Sequence, residues 1–168
     1  MNEEVRVRLA GPQDEDAIVA LWHEHMLWHQ QCDPRLALAP DAPAHWRETL
    51  RLWLENRDMR VLVAEGPAGQ IVGFAIGMVR DNASVMRPAR FGYINELAVT
   101  EAWRRRGIGR RLVQALFDWF TQQGINTYRL TAAHRNPVAQ AFWRSLGADD
   151  LLDVLWGEIP LPGSLPNQ

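Results

Sequence analysis

Two glycines and a run of arginines form the pattern in this sequence with the clearest chemistry. Gly107 and Gly109 lie between an apolar stretch and an amphipathic segment, and these basic residues surround them: Arg104, Arg105, Arg106, Arg110 and Arg111. Glycine lets a ligand approach the backbone closely, and the first N–H groups of a helix are unpaired and lie at the positive end of its dipole. The pattern therefore predicts a site for a di- or triphosphate ester, bound by N–H and guanidinium groups together.

Other glycine-rich phosphate loops have different spacings. The nucleoside triphosphate loop requires Gly-x-x-x-x-Gly-Lys-Ser/Thr and the dinucleotide fingerprint requires Gly-x-Gly-x-x-Gly, and the sequence contains neither. For a lone Gly-x-Gly the alternative is an ordinary loop with a solvated arginine face. The elements around the loop must decide between these interpretations.

Hydrophobic periodicity predicts an α/β sandwich around a mixed sheet, with the glycine loop between a strand and the clearest amphipathic helix. The predicted elements in chain order are a strand at Val5–Leu9, a helix from Asp14 to about Gln30, a helix around Trp46–Leu54, strands at Val61–Ala64, Ile71–Val79 and Tyr93–Val99, a helix from Gly107 to a glycine cap at Gly124, a strand at Tyr128–Thr131, a helix at Asn136–Leu146, a strand or hairpin at Leu151–Ile159 and a loose tail at Pro160–Gln168.

The composition is that of a single soluble domain. The chain has 168 residues, of which 47% are hydrophobic, and its net charge of −2 lacks the basic excess that nucleic acid or an anionic membrane would require. Cys32 is the single cysteine, the N-terminus lacks the pattern of a secretory signal, and the apolar runs are too short to span a bilayer. We expect a cytoplasmic protein with no nucleic-acid or membrane partner.

The segment before the glycine loop resembles a known acyl-CoA motif. Ile94–Trp103 runs into Arg104-x-x-Gly107-x-Gly109, which is similar to the Arg/Gln-x-x-Gly-x-Gly/Ala motif of the GNAT superfamily of N-acetyltransferases. A second block resembles the family's next motif: Asn136-x-x-Ala139, Phe142-Trp143 and Leu146-Gly147. Together the two blocks cover about residues 93–148.

The resemblance implies a mixed, mostly antiparallel central sheet flanked by helices on both faces, within one N-acetyltransferase domain over residues 1–168. It divides that domain into four parts: residues 1–58 with the first strand and two helices that wall the acceptor site, residues 59–99 with the central strands, residues 100–148 with the acetyl-CoA motifs, and residues 149–168 with terminal strands and a tail.

The resemblance also implies acetyl-CoA as co-substrate, without a metal ion. The backbone of residues 97–99 would pair with the pantetheine arm, the N–H groups of residues 105–110 would bind the pyrophosphate, and the thioester would lie where two central strands splay apart. The predicted cofactor-binding residues are Leu97, Ala98, Val99, Arg104, Arg105, Arg106, Gly107, Ile108, Gly109, Arg110, Asn136, Ala139, Phe142 and Trp143.

Acetyl transfer requires a neutral amine, and deprotonating a lysine-like amine at pH 7 costs about 3.4 pKa units, or roughly 4.6 kcal/mol. Glu96 is the predicted general base, because related acetyltransferases carry a carboxylate just before the motif and burial would raise its pKa. The alternative is that Glu96 forms an ion pair with a neighbouring arginine.

Trp143 stands where many family members have a tyrosine that protonates the leaving sulfur, and an indole cannot act as that acid. Ser145, Tyr128, Tyr93 or water could substitute, and the sequence does not decide among them. Loss of the tyrosine should slow the enzyme without abolishing turnover. The segment Leu146–Asp150 resembles the diamine acetyltransferase branch, which favours small amines or polyamines as acceptors.

The first helix carries the predicted acceptor-binding residues. Trp22, Glu24, His25 and Trp28 could select an amine by charge and cation–π contact, although tryptophans at helical spacing more often lie in the core. His25 and His29 are four residues apart and could share a metal ion, but no third ligand follows at a diagnostic spacing.

Three functions remain after this comparison. The first is an amine N-acetyltransferase that acts by direct attack in a ternary complex. Its acceptor could be a polyamine, an amino acid, an aminoglycoside-like drug or a peptide amine. We expect it to form a homodimer, as many relatives do. The second is a GNAT-fold module that binds acetyl-CoA with weak or no turnover. The third, a nucleic-acid-binding module, is disfavoured by the near-neutral charge.

Overall fold

A computed structural model describes residues 5–159, and its regular elements follow the predicted order. The helices and strands are β1 (Arg6–Leu9), α1 (Glu15–Cys32), α2 (Ala42–Glu55), β2 (Met59–Glu65), β3 (Ile71–Asp81), β4 (Arg90–Val99), α3 (Ile108–Gln122), β5 (Tyr128–Arg129) and α4 (Pro137–Arg144). Short 3-10 turns precede α1 at Pro12–Asp14, follow it at Pro34–Leu36, and precede the glycine loop at Glu101–Trp103.

The strands form one sheet in the order β1-β2-β3-β4-β5. The pairs from β1 to β4 are antiparallel, and β4 and β5 are parallel. Alternate side chains of a strand face opposite sides, so each face carries its own core. Helices α1 and α2 cover one face around Ile18, Leu50 and Phe74, and α3 covers the other around Leu112 and Leu116. The predicted mixed, mostly antiparallel α/β fold is confirmed.

Three glycines let α3 approach the sheet closely. A Cβ atom added to Gly92 would lie 2.7 Å from the Phe120 ring, and one added to Gly77 would lie 2.9 Å from the Leu116 side chain. A Cβ atom added to Gly73 would lie 2.9 Å from the Ala98 carbonyl oxygen and 3.4 Å from Leu112. We call Gly73, Gly77 and Gly92 the glycine seam. No larger residue fits there without displacing its neighbours.

A buried carboxylate fixes the start of α1. Asp14 is 4% exposed, and it accepts hydrogen bonds from the Gly11 N–H (2.9 Å) and from both Nη groups of Arg8 (2.8 and 2.9 Å). The Arg8 guanidinium, which also contacts Glu65, and the Gly11 N–H outweigh burial and lower the pKa of Asp14. These contacts fix the direction in which α1 leaves β1.

The structure corrects the C-terminal prediction. Residues 151–159 form no strand, and their apolar side chains are exposed, with Leu155 at 91% and Ile159 at 96%. The apolar run that favours a strand is present, but a strand also needs a neighbour to complete its hydrogen bonds. The tail at 160–168 lies outside the described residues.

The two elements nearest the second motif are shorter than predicted. Strand β5 ends at Arg129, because its pairing with β4 stops there. Helix α4 begins at Pro137 and ends at Arg144, with Asn136 as its N-cap.

Within residues 5–159, no helix has the length and apolar character to cross a bilayer.

Candidate active site

The central strands separate beside an irregularity in β4. Glu96 lies opposite Ile76, but Ile94 lies opposite the next residue, Gly77, so that Asn95 is an extra residue on β4. Such a bulge bends its strand. On the other side of β4, pairing with β5 is confined to Gly92 and Tyr93. Residues 94–99 therefore face an opening where β5 would otherwise continue.

A cavity of about 870 Å³ occupies this opening and is lined from both faces of the sheet. Helix α1 contributes His25, Trp28 and His29, whereas α3 and α4 line the cavity from the opposite face. The remaining lining residues belong to β4, the turn and glycine loop before α3, the first residues of α3, the segment that follows β5, and α4. They are Ile94, Asn95, Glu96, Leu97, Ala98, Val99, Trp103, Arg104, Arg105, Gly107, Ile108, Gly109, Arg110, Leu130, Thr131, Ala132, Ala133, Asn136, Pro137, Val138, Ala139, Ala141, Phe142 and Trp143. Two ligands could therefore meet by entering from opposite faces.

One end of the cavity has the geometry of an anion site. Gly107 caps α3 with a φ of 77°, a left-handed conformation that glycine adopts without strain. The Arg111 N–H donates to the Gly107 carbonyl oxygen (3.1 Å), so the N–H groups of residues 108–110 precede the first helical bond. A Cβ atom on Gly109 would lie 3.4 Å from the Phe142 ring, so this residue leaves space for a ligand.

The arginines around this loop point in different directions. The Arg110 Nη2 group donates to the Ser145 hydroxyl on the neighbouring chain segment (2.9 Å). The Arg106 guanidinium lies 4.7 Å from the centroid of the Trp103 ring, and Arg106 does not line the cavity. The Arg104 Nε group donates to the Val99 carbonyl oxygen (3.0 Å), which turns this side chain toward β4. The sequence placed these arginines together but could not give their directions.

The second motif forms the wall beside the anion site. Asn136 is 3% exposed, and its Oδ1 atom accepts a hydrogen bond from the Ala139 N–H (3.1 Å) at the start of α4. One helical turn further, the rings of Phe142 and Trp143 meet edge to face with centroids 5.0 Å apart. All four of these residues line the cavity.

Glu96 lies on the sheet face that α1 covers. Burial raises its pKa to about 7, although a side-chain hydrogen bond with Trp22 opposes the rise. No arginine among the described residues contributes to this pKa, which argues against the ion-pair alternative. A carboxylate with a pKa near neutrality can both accept and release a proton at physiological pH.

Helix α1 forms the cavity wall opposite α3. His25 and His29 lie with ring centroids 4.3 Å apart, and burial, His29 and Arg104 together lower the pKa of His25 to about 4. Burial also lowers the pKa of His29. Both imidazoles are therefore neutral at pH 7, and Trp28 lies beside them with 42% of its surface exposed. We call His25, Trp28 and His29 the α1 wall.

The predicted acceptor residues thus separate into two pairs. His25 and Trp28 line the cavity, whereas Trp22 and Glu24 do not. Trp22 is 5% exposed, stacks on Trp46 with ring centroids 4.6 Å apart, and supports Glu96 from the core. Glu24 is exposed on the surface of α1. His29 is a lining residue outside the predicted acceptor set, although its spacing from His25 placed it on the same helix face.

The end of α1 is joined to the segment before α4. Asp33 is 6% exposed, and its carboxylate accepts a hydrogen bond from the Arg35 N–H (3.1 Å) and lies 3.7 Å from the Arg135 Nη1 atom. Arg135 immediately precedes the buried Asn136. This ion pair links the end of α1 to the residue that precedes the N-cap of α4.

Hydroxyl groups are sparse in the cavity. Trp143 lines it, whereas Ser145, Tyr128 and Tyr93 do not. Thr131 is a lining residue that sequence reasoning missed, and its Oγ1 atom lies 3.3 Å from the Tyr93 Oη atom. Tyr93 is therefore joined to the cavity through Thr131.

Within the described range, the structure contains no group of three His, Cys, Asp or Glu residues that could hold a metal ion.

Known proteins share both this sequence pattern and this fold. Residues 20–148 match the Acetyltransferase (GNAT) family. A relative from Saccharomyces cerevisiae, the D-amino-acid N-acetyltransferase HPA3, is 24% identical over 143 residues, which are 85% of this chain and 84% of the relative. The tetramutant of the BH1408 protein from Bacillus halodurans has a similar structure, with a TM-score of 0.80, 20% identity, and coverage of 93% of this chain and 99% of that one.

A further similar structure is that of a predicted acetyltransferase with acetyl-CoA from Clostridium acetobutylicum, with a TM-score of 0.76, 17% identity, and coverage of 92% of this chain and 96% of that one. At this level of identity the solved structures establish the fold. The family match covers most of the chain and includes the glycine loop, Glu96 and the second motif. The protein is an acyltransferase that belongs to the GNAT acetyltransferase family.

Proposed function

We propose that this protein transfers an acetyl group from acetyl-CoA to a primary amine by direct attack in a ternary complex, with Glu96 as the general base. The observation that carries the proposal is the position of Glu96 at the opening between β4 and β5, with a pKa of about 7 in a cavity that reaches both sheet faces. The acetyltransferase with acetyl-CoA from Clostridium acetobutylicum, which shares the fold, supports the choice of acyl donor.

The residues at the anion end fit the donor. The N–H groups of residues 108–110 and the guanidinium of Arg105 would hold its diphosphate, and Gly109 leaves space for this group next to Phe142. The unpaired edge of β4 at residues 97–99 would hold the extended arm by backbone hydrogen bonds. Asn136 and Ala139 would bound the arm on the α4 side. The donor supplies an acetyl group activated as a thioester.

Glu96 would remove the proton that the amine must lose. At pH 7 about half of the Glu96 side chains carry the negative charge, since the pKa is about 7. The nitrogen becomes far more acidic as its bond to the acetyl carbon forms, so a base of this strength suffices. Trp22 would hold the carboxylate in place by its hydrogen bond.

We assign proton donation to the leaving sulfur to the Thr131 hydroxyl, with Tyr93 behind it. An indole N–H and an isolated Thr hydroxyl are both much weaker acids than a tyrosine phenol, so Trp143 cannot act as this acid and Thr131 could do so only as a relay. Thr131 would give its proton to the sulfur and take up the Tyr93 proton, and solvent would then reprotonate Tyr93. The 3.3 Å contact between Thr131 Oγ1 and Tyr93 Oη supports a relay of two hydroxyl groups. The thiol has a pKa of about 8.5, so that losing this donor should slow the reaction without stopping it.

A binding module without turnover is the second candidate, and Trp143 is the observation that favours it. Release of free thiol from acetyl-CoA in the presence of a panel of amines separates the two functions. Amine-dependent release that Glu96→Gln reduces about 10²-fold supports catalysis. Micromolar acetyl-CoA binding by calorimetry, without thiol release for any amine, would refute it and support the binding module.

The acceptor and the assembly are part of the same proposal. HPA3 is a D-amino-acid N-acetyltransferase by name, which makes amino acids one class to test.

We propose a cytoplasmic homodimer. The free Cys32 supports the cytoplasmic location, and the exposed apolar side chains of residues 151–159 support the dimer. Sedimentation velocity should give twice the monomer mass, and a monomer at micromolar concentration would contradict this assembly.

A further inference from the structure

The negative charge in the cavity restricts which amine can enter. Among the described residues that line it, Glu96 is the single carboxylate, and it lies on the sheet face that α1 covers. In the proposed function Glu96 faces the reacting nitrogen. A polyamine or an aminoglycoside brings further ammonium groups, and no other lining side chain within residues 5–159 could form an ion pair with them.

The positive charges of the cavity belong to its donor end. Arg105 and Arg110 flank the start of α3, where the diphosphate of the donor would lie. The Arg104 Nε group donates to the Val99 carbonyl oxygen (3.0 Å), at the strand edge that would hold the donor arm. None of these arginines contributes to the pKa of Glu96. Since one carbon atom separates the two groups of an α-amino acid, its carboxylate would lack a cationic partner when its amine is at Glu96.

The α1 wall adds no charge and offers a flat apolar surface. The rings of His25 and His29 have centroids 4.3 Å apart, so two protonated imidazoles would repel each other, and burial lowers the pKa of both. Trp28 lines the cavity with 42% of its surface exposed. An indole ring open to a ligand cavity can pack against an apolar or aromatic group. The wall therefore suits an uncharged body.

We propose that the acceptor is a primary monoamine with an apolar or aromatic body and no second charged group. Its amine faces Glu96, and its body lies against the α1 wall. This inference rests on the proposed acetyltransferase function. Of the acceptor classes considered above, it retains small amines and excludes polyamines, aminoglycosides and amino acids.

Two matched pairs of acceptors test the proposal. Phenethylamine and phenylalanine differ by one carboxylate, and pentylamine and 1,5-diaminopentane differ by one ammonium group. We expect kcat/KM, corrected for the fraction of neutral amine, to be about tenfold or more higher for the first member of each pair, because the added charge has no partner. Equal or faster turnover of 1,5-diaminopentane, or of either enantiomer of phenylalanine, would overturn the inference.

The variant Trp28→Ala tests the contact with the body of the acceptor. It should lower kcat/KM for phenethylamine about tenfold or more, because the apolar contact is lost, while calorimetry reports wild-type affinity for acetyl-CoA. The control Leu27→Ala removes an α1 side chain that is also 42% exposed but does not line the cavity, and it should leave kcat/KM unchanged. Unchanged turnover of phenethylamine by Trp28→Ala would overturn this placement of the body.

A charge added to the α1 wall should change the preference. His29→Glu supplies a carboxylate that a second ammonium group can use, and His29→Gln is its uncharged match. The ratio of kcat/KM for 1,5-diaminopentane to that for pentylamine should be about tenfold or more higher in the Glu variant than in the Gln variant. The control Gln31→Glu adds the same charge at an exposed α1 position outside the cavity and should leave the wild-type ratio unchanged. Equal ratios in the two His29 variants would contradict the inference.

The outcomes separate this inference from the function on which it rests. Thiol release that is fastest with phenylalanine or 1,5-diaminopentane would overturn the inference and leave the proposed catalysis intact. Acetyl-CoA binding with no thiol release for any of the four amines, nor for a wider panel, would instead overturn the proposed catalysis and this inference with it.

Discussion

Replacing Glu96 with glutamine should lower activity and raise stability, and both effects depend on pH. The substitution removes a buried carboxylate but keeps an oxygen that can accept the Trp22 hydrogen bond. Most substitutions in a folded interior destabilise the protein. An increase in the free energy of unfolding at alkaline pH would therefore be a specific signature of the environment of this residue.

The magnitude follows from the pKa. Burial raises the pKa of Glu96 from 4.5 to about 7, so the folded protein binds this proton more tightly than the unfolded chain does. The free energy of unfolding thus falls as pH rises from 4.5 to 7, and the cost is complete above pH 7. A shift of about 2.5 units at about 1.36 kcal/mol each gives an upper limit of about 3.4 kcal/mol. Since 1 kcal/mol corresponds to about 2–4 °C in Tm for a chain of this size, Glu96→Gln should melt up to about 7–14 °C higher.

The activity should change in the opposite direction. Only ionised Glu96 can act as a base, so kcat/KM of the wild type should fall about tenfold for each pH unit below the pKa of about 7. Glu96→Gln should lose this inflection and turn over about 10²-fold more slowly at pH 8.

Thermal unfolding at about pH 4.5 and pH 8.5, followed by circular dichroism, measures the first effect. The variant and the wild type should melt together at the lower pH and separate at the higher one. Glu48→Gln, at an exposed position on α2, is the control and should not separate them. A variant that is no more stable than the wild type at pH 8.5 would show that Glu96 is not buried at a cost, and the assignment of a raised pKa would be wrong.

Three further substitutions test the frame around the site. Gly109→Trp should abolish acetyl-CoA binding in calorimetry while the circular dichroism spectrum is retained, because a large side chain would fill the anion site; micromolar binding by this variant would contradict that position. Gly92→Ala should lower the free energy of unfolding by about 1–3 kcal/mol, since its Cβ atom would meet the Phe120 ring, and the second change Phe120→Leu should recover part of this loss in a urea titration. Asp14→Asn should cost about 1–3 kcal/mol at pH 7, because Arg8 loses one of its two carboxylate partners and keeps Glu65. Because Arg8 lowers the pKa of Asp14, the wild type should lose this stability as pH falls below about 3.8, and the two proteins should converge in acid.

Local features of this protein could be predicted from its sequence. The glycine loop is defined by adjacent residues, and α3 by a regular apolar repeat, so the loop and the helix that follows it could both be predicted. The prediction that Glu96 is a base depends on its place before the motif, which matches that of a carboxylate in related acetyltransferases. In each case the necessary information lies within about 15 neighbouring residues.

Features that depend on distant residues could not be predicted in this way. The hydrogen bond between Trp22 and Glu96 and the electrostatic effect of Arg104 on His25 join segments that are far apart in the chain. The bulge at Asn95 leaves no pattern of apolar residues, because it changes pairing without changing composition. The strand expected at Leu151–Ile159 fails for the related reason that an apolar run does not specify its neighbour.

The glycine seam contacts α3 on one face of the sheet, and the α1 wall lies on the other face. Because the Leu112, Leu116 and Phe120 side chains of α3 lie directly over the backbone of the glycine seam, the distance of α3 from the sheet is set by these side chains packing against backbone. The α1 wall lies on the opposite face, so its residues can be exchanged without moving α3. Directed evolution confined to His25, Trp28 and His29 should therefore yield new acceptor preferences with unaltered acetyl-CoA affinity, and the seam should remain free of accepted changes.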